Sequence, residues 1–260
     1  MKYIIASHTD VGIQKKTNQD SYCVKEAITD KGTVMMAVLC DGMGGLAKGE
    51  VASASIINKF SDWFENELPG ILSLKNPLDE VRYSWDRIIK ERNQAIASYG
   101  KSVNIQLGST ITAMLVIEDN KYLIAHVGDS RAYKITRKGV SILTEDQTLV
   151  AREVKLGRLT PEQAKTDSRR NVLLQCVGAS RVVEPAYYGG VVAPDECYML
   201  CSDGFRHVIT NEEIYNAFVP HNNATMQQMR EHIIELIDLN KFRHENDNIT
   251  SILIKTEQEV

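Results

Sequence analysis

The feature that most constrains the fold of this chain is a series of short β-rich runs joined by compact polar turns. The runs read TVMMAVLC, STITAMLVIE, KYLIAHV, RAYKIT, YYGGVVA, CYMLC and ITSILIK. Turns such as 118–120 and 137–139 have the spacing of β-hairpins. The sequence therefore favours antiparallel sheet, because a parallel sheet would need a helix between most of its strands.

Three longer segments have the apolar period of a helix instead. They lie at 47–68, 77–99 and 225–239. Each has one apolar stripe, which is typical of a helix that packs against a core. Two shorter helices are indicated by the capping-box pattern, Thr-x-x-Glu at Thr210 and Thr-x-x-Gln at Thr160.

Together these elements predict an α+β fold in which two antiparallel β-sheets pack as a β-sandwich flanked by α-helices, in α-β-β-α layers. A chain of 260 residues in this class commonly forms one domain, so we expect a single domain over 1–260. A charged segment at about 144–171 lies between predicted strands. We expect it to form a flap on the surface.

Composition and charge exclude several kinds of partner. The formal net charge of -4 comes without the basic stripe that nucleic acid or anionic lipid would require. No window is long and apolar enough for a membrane span, and the first ten residues do not form a signal peptide. Five cysteines without a Cys-x-x-Cys pair fit a reducing compartment. We therefore expect a cytoplasmic protein that binds neither nucleic acid nor membrane.

Five aspartates share one placement, each at the boundary of a predicted strand. They are Asp20, Asp41, Asp129, Asp203 and Asp247. Any one of them alone could mark an ordinary Asp-Gly or polar turn. If the strand ends converge, however, five carboxylates meet, and such a cluster costs stability unless a cation compensates it. Oxygen ligands of this kind suit hard divalent cations such as Mg²⁺ or Mn²⁺.

Gly42 follows the second of these aspartates at the end of an apolar run. Without a Cβ, its backbone can come close enough for the carbonyl to join a carboxylate at a metal. The pattern Gly42-x-Gly44-x-x-Ala47 also matches a dinucleotide-binding fingerprint. An acid beside the glycines would repel a pyrophosphate, and the helical pattern through Trp63 replaces the second strand that the fingerprint needs. A cation site is the favoured interpretation.

Seven short motifs occur in a fixed order along the chain. They are TNQD (17–20), DGMGG (41–45), GST (108–110), GDSRAY (128–133), RNVL (170–173), SDG (202–204) and DNIT (247–250). Each motif alone is weak, but the ordered set resembles the metal-dependent protein serine/threonine phosphatases of type 2C, in particular the compact bacterial members. The resemblance runs from near Thr9 to Ile254, and it implies a β-sandwich with a two-metal centre at one end.

The resemblance also implies roles for particular residues. Asp41 would bridge two metal ions, and Gly42 would give its carbonyl to one of them. Asp203 and Asp247 would bind the other ion, while Asp20 would act mainly through metal-bound water. The implied cofactor is Mn²⁺ or Mg²⁺, two ions per active site.

Further positions of the family pattern lie around this centre. Asp129, with Asp203, would hold a third and weaker metal ion. Gln19 and Asn248 would border the metal ligands, and Gln19 replaces a glutamate that is typical of the family, which removes one negative charge near the metals. Lys15 stands where the family usually has an arginine that grips substrate phosphate, and lysine would bind as a point charge without a bidentate fork.

The activity implied by the resemblance is hydrolysis of phosphoserine and phosphothreonine in proteins by attack of a metal-bridging water, with catalysis carried by Asp41, Asp203 and Asp247. The substrates would be the phosphorylated products of a serine/threonine kinase. Two alternatives stay open. One is a phosphatase-like regulatory or binding module with weak activity, which Lys15 and Gln19 motivate. The other is the same chemistry on a small phosphomonoester.

Overall fold

The computed structural model describes residues 1–44 and 48–258. Its strands are β1 (Lys2–Asp10), β2 (Asp20–Thr29), β3 (Gly32–Gly44), β4 (Leu107–Ser109), β5 (Ile111–Val116), β6 (Lys121–Val127), β7 (Arg131–Thr136), β8 (Gly139–Ile142), β9 (Ala186–Val191), β10 (Glu196–Cys201) and β11 (Ile249–Glu257). Its helices are α1 (Gly49–Asn66), α2 (Leu68–Leu72), α3 (Pro77–Ser102), α4 (Leu149–Lys155), α5 (Pro161–Thr166), α6 (Asp203–Arg206), α7 (Asn211–Phe218) and α8 (Met226–Phe242).

The strands form two sheets, and the pairings within each sheet are antiparallel. The first sheet has the order β1-β11-β10-β7-β8, and the second has the order β2-β3-β5-β6-β9. Strand β4 pairs with the last residues of β3. Helices α1 and α3 cover the second sheet, whereas α6, α7 and α8 cover the first. The predicted α-β-β-α sandwich is confirmed.

Strand β3 explains how one sheet can be buried on both faces. Met35, Ala37 and Leu39 lie in the apolar layer between the sheets. Their neighbours Met36 and Val38 belong to the layer under α1 and α3. Successive side chains of a strand point to opposite faces, so a continuous apolar run such as VMMAVLC is what a strand covered on both sides requires. Within the described residues, no helix is both long and apolar enough to cross a membrane.

Local signals place the helix starts well. Pro77 occupies the first turn of α3, and the predicted capping boxes at Thr160 and Thr210 are both present. A third box, Thr225 with Gln228, starts α8 and was not predicted. The first helix begins at Gly49, with Lys48 as its N-cap residue. Ala47, which the sequence pattern also included, and the end of the DGMGG motif lie outside the described residues. Helices α4 and α5 lie in the segment between β8 and β9.

The sheet register brings the strand ends with aspartates to one end of the sandwich. Asp20 and Asp41 are directly opposite each other in the β2–β3 pair. Asp203 follows β10, and Asp247 precedes β11, which pairs with β10 in antiparallel fashion. Asp129 lies in the turn between β6 and β7. The fold therefore concentrates these side chains at one end of the sandwich.

Candidate metal centre

The five predicted aspartates form one electrostatic cluster. Burial and the charges of Asp20, Asp203, Asp129 and Asp247 raise the pKa of Asp41 well above its ordinary value. Burial is also the largest cause at Asp20, where it and the charges of Asp203 and Asp247 raise the pKa to about 7. The pKa of Asp129 is raised to about 7 by burial and by the charge of Asp203. Without cations, these carboxylates repel one another.

The GST motif fixes the backbone of Asp41. The Asp41 amide donates to the Thr110 hydroxyl at 2.9 Å, and the Thr110 amide donates back to the Asp41 carbonyl at 2.8 Å. The Ser109 hydroxyl also donates to the Asp41 carbonyl at 3.0 Å. Three hydrogen bonds with two adjacent residues thus hold the backbone of Asp41 near the end of β3, so the Asp41 side chain projects from a rigid strand.

Gly42 lies at a very close approach of three backbone segments. A Cβ there would be 2.3 Å from the Gly49 carbonyl oxygen and 2.5 Å from the Gln19 carbonyl oxygen. The Gly42 amide donates to that Gln19 carbonyl at 3.1 Å, and the Ser53 hydroxyl donates to it at 2.6 Å. Glycine is therefore needed for packing here, which is a reason that the sequence pattern did not supply.

Two aspartates have a buried carboxylate oxygen that accepts no hydrogen bond from the described residues. Asp20 accepts a hydrogen bond from the Thr250 hydroxyl at 2.6 Å through Oδ2, but within residues 1–44 and 48–258 neither its Oδ1 nor Oδ1 of Asp203 has a partner. A buried acceptor without a partner costs free energy. Such oxygens suit a cation, which would supply the missing contact.

Lys15 brings a positive charge into the cluster. Its Nζ lies 2.8 Å from Oδ1 of Asp247, and its side chain is 39% exposed. Burial lowers the pKa of Lys15, but the hydrogen bond and charge of Asp247, with the charges of Asp41 and Asp203, raise it overall. The ammonium is therefore close to the predicted metal ligands and partly open to solvent, as a substrate-binding group must be.

Asn248 and Gln19 hold the loop between β1 and β2, which carries Lys15. The side-chain nitrogen Nδ2 of Asn248 donates to the backbone carbonyls of Val11 at 2.9 Å and Thr17 at 3.2 Å. The side-chain oxygen Oδ1 of Asn248 accepts from the backbone amide of Gln19 at 2.9 Å. The Gln19 side chain donates to Glu50 at 3.5 Å, in the first turn of α1. Asn248 thus anchors the loop from β1 to β2, and Gln19 contributes its backbone carbonyl to the position of Gly42.

Two residues beside Asp203 were not identified from the sequence. His207 lies 3.4 Å from Asp203 through Nε2 and 3.4 Å from Glu245 through Nδ1. Arg206 donates to the carbonyl of Asp129 at 2.9 Å. Both residues lie within three positions of the end of the SDG motif, and this position is the signal in the sequence that they could belong to the site. Their partners could be found only from the fold.

A divalent cation at this cluster would need water molecules among its ligands. Among the described residues, no three carboxylate, imidazole or thiol side chains are arranged around one point as ligands of a single ion. The buried carboxylate oxygens and the Gly42 carbonyl would therefore be supplemented by water molecules. Mg²⁺ in particular usually keeps several waters and binds few protein ligands, so the donor set fits a divalent cation of this type.

The structural neighbours of this α-β-β-α sandwich are bacterial serine/threonine phosphatases. The family model for protein phosphatase 2C matches residues 7–242. The chain therefore belongs to the protein phosphatase 2C family and is a protein phosphatase of the serine/threonine type.

Similar proteins are bacterial phosphatases. The protein phosphatase PhpP of Streptococcus pneumoniae is 31% identical over 207 residues, which cover 79% of this chain and 80% of that protein. A serine/threonine phosphatase of S. agalactiae superposes with a TM-score of 0.85 at 29% identity, over 98% of this chain and 100% of that one. The catalytic domain of PstP, solved in complex with two manganese ions, superposes with a TM-score of 0.77 at 27% identity, over 99% of this chain and 100% of that one.

Proposed function

We propose that this protein hydrolyses phosphoserine and phosphothreonine in phosphorylated proteins, with Mn²⁺ or Mg²⁺ as its cofactor. The observation that carries the proposal is a pair of buried carboxylate oxygens, Oδ1 of Asp20 and Oδ1 of Asp203, that have no hydrogen-bond partner in the described part of the chain and lie inside a cluster of five aspartates. The manganese ions in the related PstP domain support the choice of metal. Substrates would be products of a serine/threonine kinase, and a cytoplasmic location stays a prediction.

The proposed ligands follow the predicted assignment. Asp41 would bridge two cations, the Gly42 carbonyl would bind one of them, and Asp203 and Asp247 would bind the other. Asp20 would bind through water. When bound, two such cations activate water for attack on phosphorus and neutralise charge on the phosphoryl oxygens.

The chain's own residues hold this arrangement in place. Hydrogen bonds with Ser109 and Thr110 hold the backbone of Asp41 within β3, and the Thr250 hydroxyl orients Asp20 by a hydrogen bond of 2.6 Å. Lys15 would bind a phosphoryl oxygen of the substrate with its ammonium, for which it would turn from Asp247. Because Asn248 anchors the loop on either side of Lys15, the phosphate would be held at a defined distance from the carboxylates.

The proposal is tested by hydrolysis of a phosphothreonine peptide with Mn²⁺, with Mg²⁺ and with EDTA. We expect turnover with metal and none with EDTA, and we expect Asp203→Asn to lower kcat/KM by at least about 100-fold. Asp62→Asn, on the exposed side of α1, is the matched control and should change nothing. Metal-dependent turnover that survives Asp203→Asn would overturn the proposed site.

The same assay separates the two alternatives. A regulatory module would bind Mn²⁺ but turn over the peptide far more slowly than about 1 s⁻¹, the lower end of typical kcat values. A phosphatase for small molecules would hydrolyse a small phosphomonoester with a higher kcat/KM than the peptide. We expect the peptide to be the better substrate.

A further inference from the structure

Arg206 is a buried cation beside the metal centre. It is the last residue of the short helix α6 that begins with Asp203, and its side chain is 11% exposed. Its Nη2 donates to the backbone carbonyl of Asp129 at 2.9 Å and lies 3.6 Å from the Asp129 carboxylate. Arginine does not lose its proton in proteins, so this positive charge is permanent.

The guanidinium of Arg206 belongs to a balanced group of four charges. Its Nη2 lies 3.3 Å from Oδ2 of Asp146. Asp146 in turn accepts two hydrogen bonds from Arg131, each at 2.7 Å. Two guanidinium groups and two carboxylates, those of Asp129 and Asp146, therefore neutralise one another. The pairing of Arg131 with Asp146 is bidentate, which fixes both its charge and its geometry.

Asp41 has a different environment. Asp41 lies directly opposite another aspartate, Asp20, in the β2–β3 pair, whereas the Asp129 carboxylate has the guanidinium of Arg206 at 3.6 Å. Lys15 lies near the carboxylates at Asp41, but its side chain is partly exposed and its contact is with Asp247 at 2.8 Å. The carboxylates at Asp41 therefore need a divalent ion more than the carboxylate of Asp129 does.

We infer that Arg206 is the resident cation of Asp129, and that this protein's centre is built for two divalent ions without a third at Asp129. The inference depends on the proposed two-metal function. A divalent ion on the Asp129 carboxylate would lie close to a fixed guanidinium in a largely buried site, where repulsion between like charges is only weakly screened. The predicted role of Asp129 as a ligand of a third ion would then not apply to this chain.

The test counts Mn²⁺ ions by equilibrium dialysis and isothermal titration calorimetry on the full chain. We expect two ions per wild-type molecule at millimolar Mn²⁺, and the same two in Asp129→Asn. In Arg206→Gln we expect a third ion to bind at least tenfold more tightly than any third ion in the wild type. The double variant Arg206→Gln with Asp129→Asn should lose it. Arg137→Gln, which breaks an exposed ion pair with Asp195, is the matched control.

A wild-type protein that binds three ions, of which Asp129→Asn removes one, would overturn the inference. This comparison does not involve the Arg206 variant, so it decides the question even if that variant fails to fold. Failure of the proposed function has a different result, because then the wild type would show no Mn²⁺-dependent turnover of the phosphothreonine peptide. A third ion at Asp129 with normal turnover would refute the inference alone.

Discussion

The backbone around Gly42 leaves no room for a side chain. Its Cα faces the carbonyl oxygens of Gly49 and Gln19, and Gly49 has the reciprocal constraint, since a Cβ there would lie 2.7 Å from the Gly42 carbonyl oxygen. Two glycines thus let the end of β3 and the start of α1 touch. This contact positions the carbonyl of Gly42, which is the atom that the proposed function gives to a cation.

We expect Gly42→Ala to abolish metal-dependent turnover and to destabilise the fold by about 1–3 kcal/mol, because an overpacked site must shift its backbone. The control is Gly70→Ala in α2, where a Cβ would meet nothing within 4 Å. That change should be neutral or stabilising by up to about 1 kcal/mol. Urea unfolding and peptide turnover of both variants check this. Normal turnover in Gly42→Ala would contradict it.

Lys15 is predicted to act on the substrate. We expect Lys15→Ala to lower kcat/KM for a phosphothreonine peptide by about tenfold, mainly through KM, since an ammonium–phosphate hydrogen bond contributes about 1.5 kcal/mol or more. The neighbouring Lys16→Ala is the control and should leave both constants unchanged. Steady-state kinetics at saturating Mn²⁺ measure the effect. An unchanged KM in Lys15→Ala would show that the lysine does not bind phosphate.

At the residue scale, the sequence indicates charges better than it indicates their partners. The five aspartates could be found because each follows or precedes a recognisable strand, and the structure places all five in one cluster. Arg206 and His207 could not be assigned, because their contacts with Asp129 and Glu245 join parts of the chain that are far apart in sequence. The contact of His207 with Asp203 is local, at i, i+4, but no short-range pattern records the other two contacts.

At the scale of elements, the same limit separates the strands that were predicted from those that were not. β6 and β7 have strong apolar patterns, and both have the predicted bounds. β1, β4 and β8 were missed. β4 has three residues, which is too short for a periodic pattern. β1 and β8 are the two edge strands of the first sheet, and most of their side chains are only partly buried or exposed. An edge strand has one neighbouring strand, so it needs fewer apolar residues and its apolar pattern is harder to recognise in the sequence.

Helix starts depend on local hydrogen bonds. The capping box at the start of α7, in which Glu213 pairs with Thr210, can be tested by its dependence on pH. Its carboxylate accepts from the Thr210 amide at 2.8 Å and from Nη1 of Arg243 at 2.9 Å. The hydrogen bond from Arg243, followed by that from the Thr210 amide, lowers the pKa of Glu213 to about 2. Because this value is below that of an unfolded glutamate, about 4.3, the charge stabilises the native state above pH 4.3. The benefit is lost as pH falls toward 2.

We therefore expect Glu213→Gln to be less stable than the wild type by about 0.5–1 kcal/mol at pH 7, a small figure because the pair is partly exposed. The glutamine keeps the shape of the capping box, so the difference reports the charge. Thermal unfolding at pH 7, 5, 4 and 3 should show the difference shrinking below about pH 4. Glu235→Gln, on the exposed face of α8, is the control. A difference independent of pH would contradict the ion-pair explanation.

At the scale of the whole molecule, the fold and the site make opposite demands on stability. The apolar layers between the sheets and under the helices hold the strand ends together, and those ends bring five carboxylates into one region. The layered fold could be predicted because apolar periodicity extends over whole elements. The energetic cost of the site could be predicted only on the assumption that the strand ends converge, because the sequence does not show which strand ends lie side by side.

Cations that relieve this repulsion should stabilise the native state by mass action, since the unfolded chain has no preformed site. At a Mn²⁺ concentration 100 times the dissociation constant, one site adds about 2.7 kcal/mol. For a chain of this size, each kcal/mol raises Tm by about 2–4 °C. We expect Mn²⁺ to raise Tm of the wild type by about 5–10 °C per site relative to EDTA.

The shift in Tm should shrink in Asp203→Asn and persist in Asp62→Asn. Scanning calorimetry measures it, and equal wild-type curves with Mn²⁺ and EDTA would refute a cation site among these carboxylates, whatever the protein's activity.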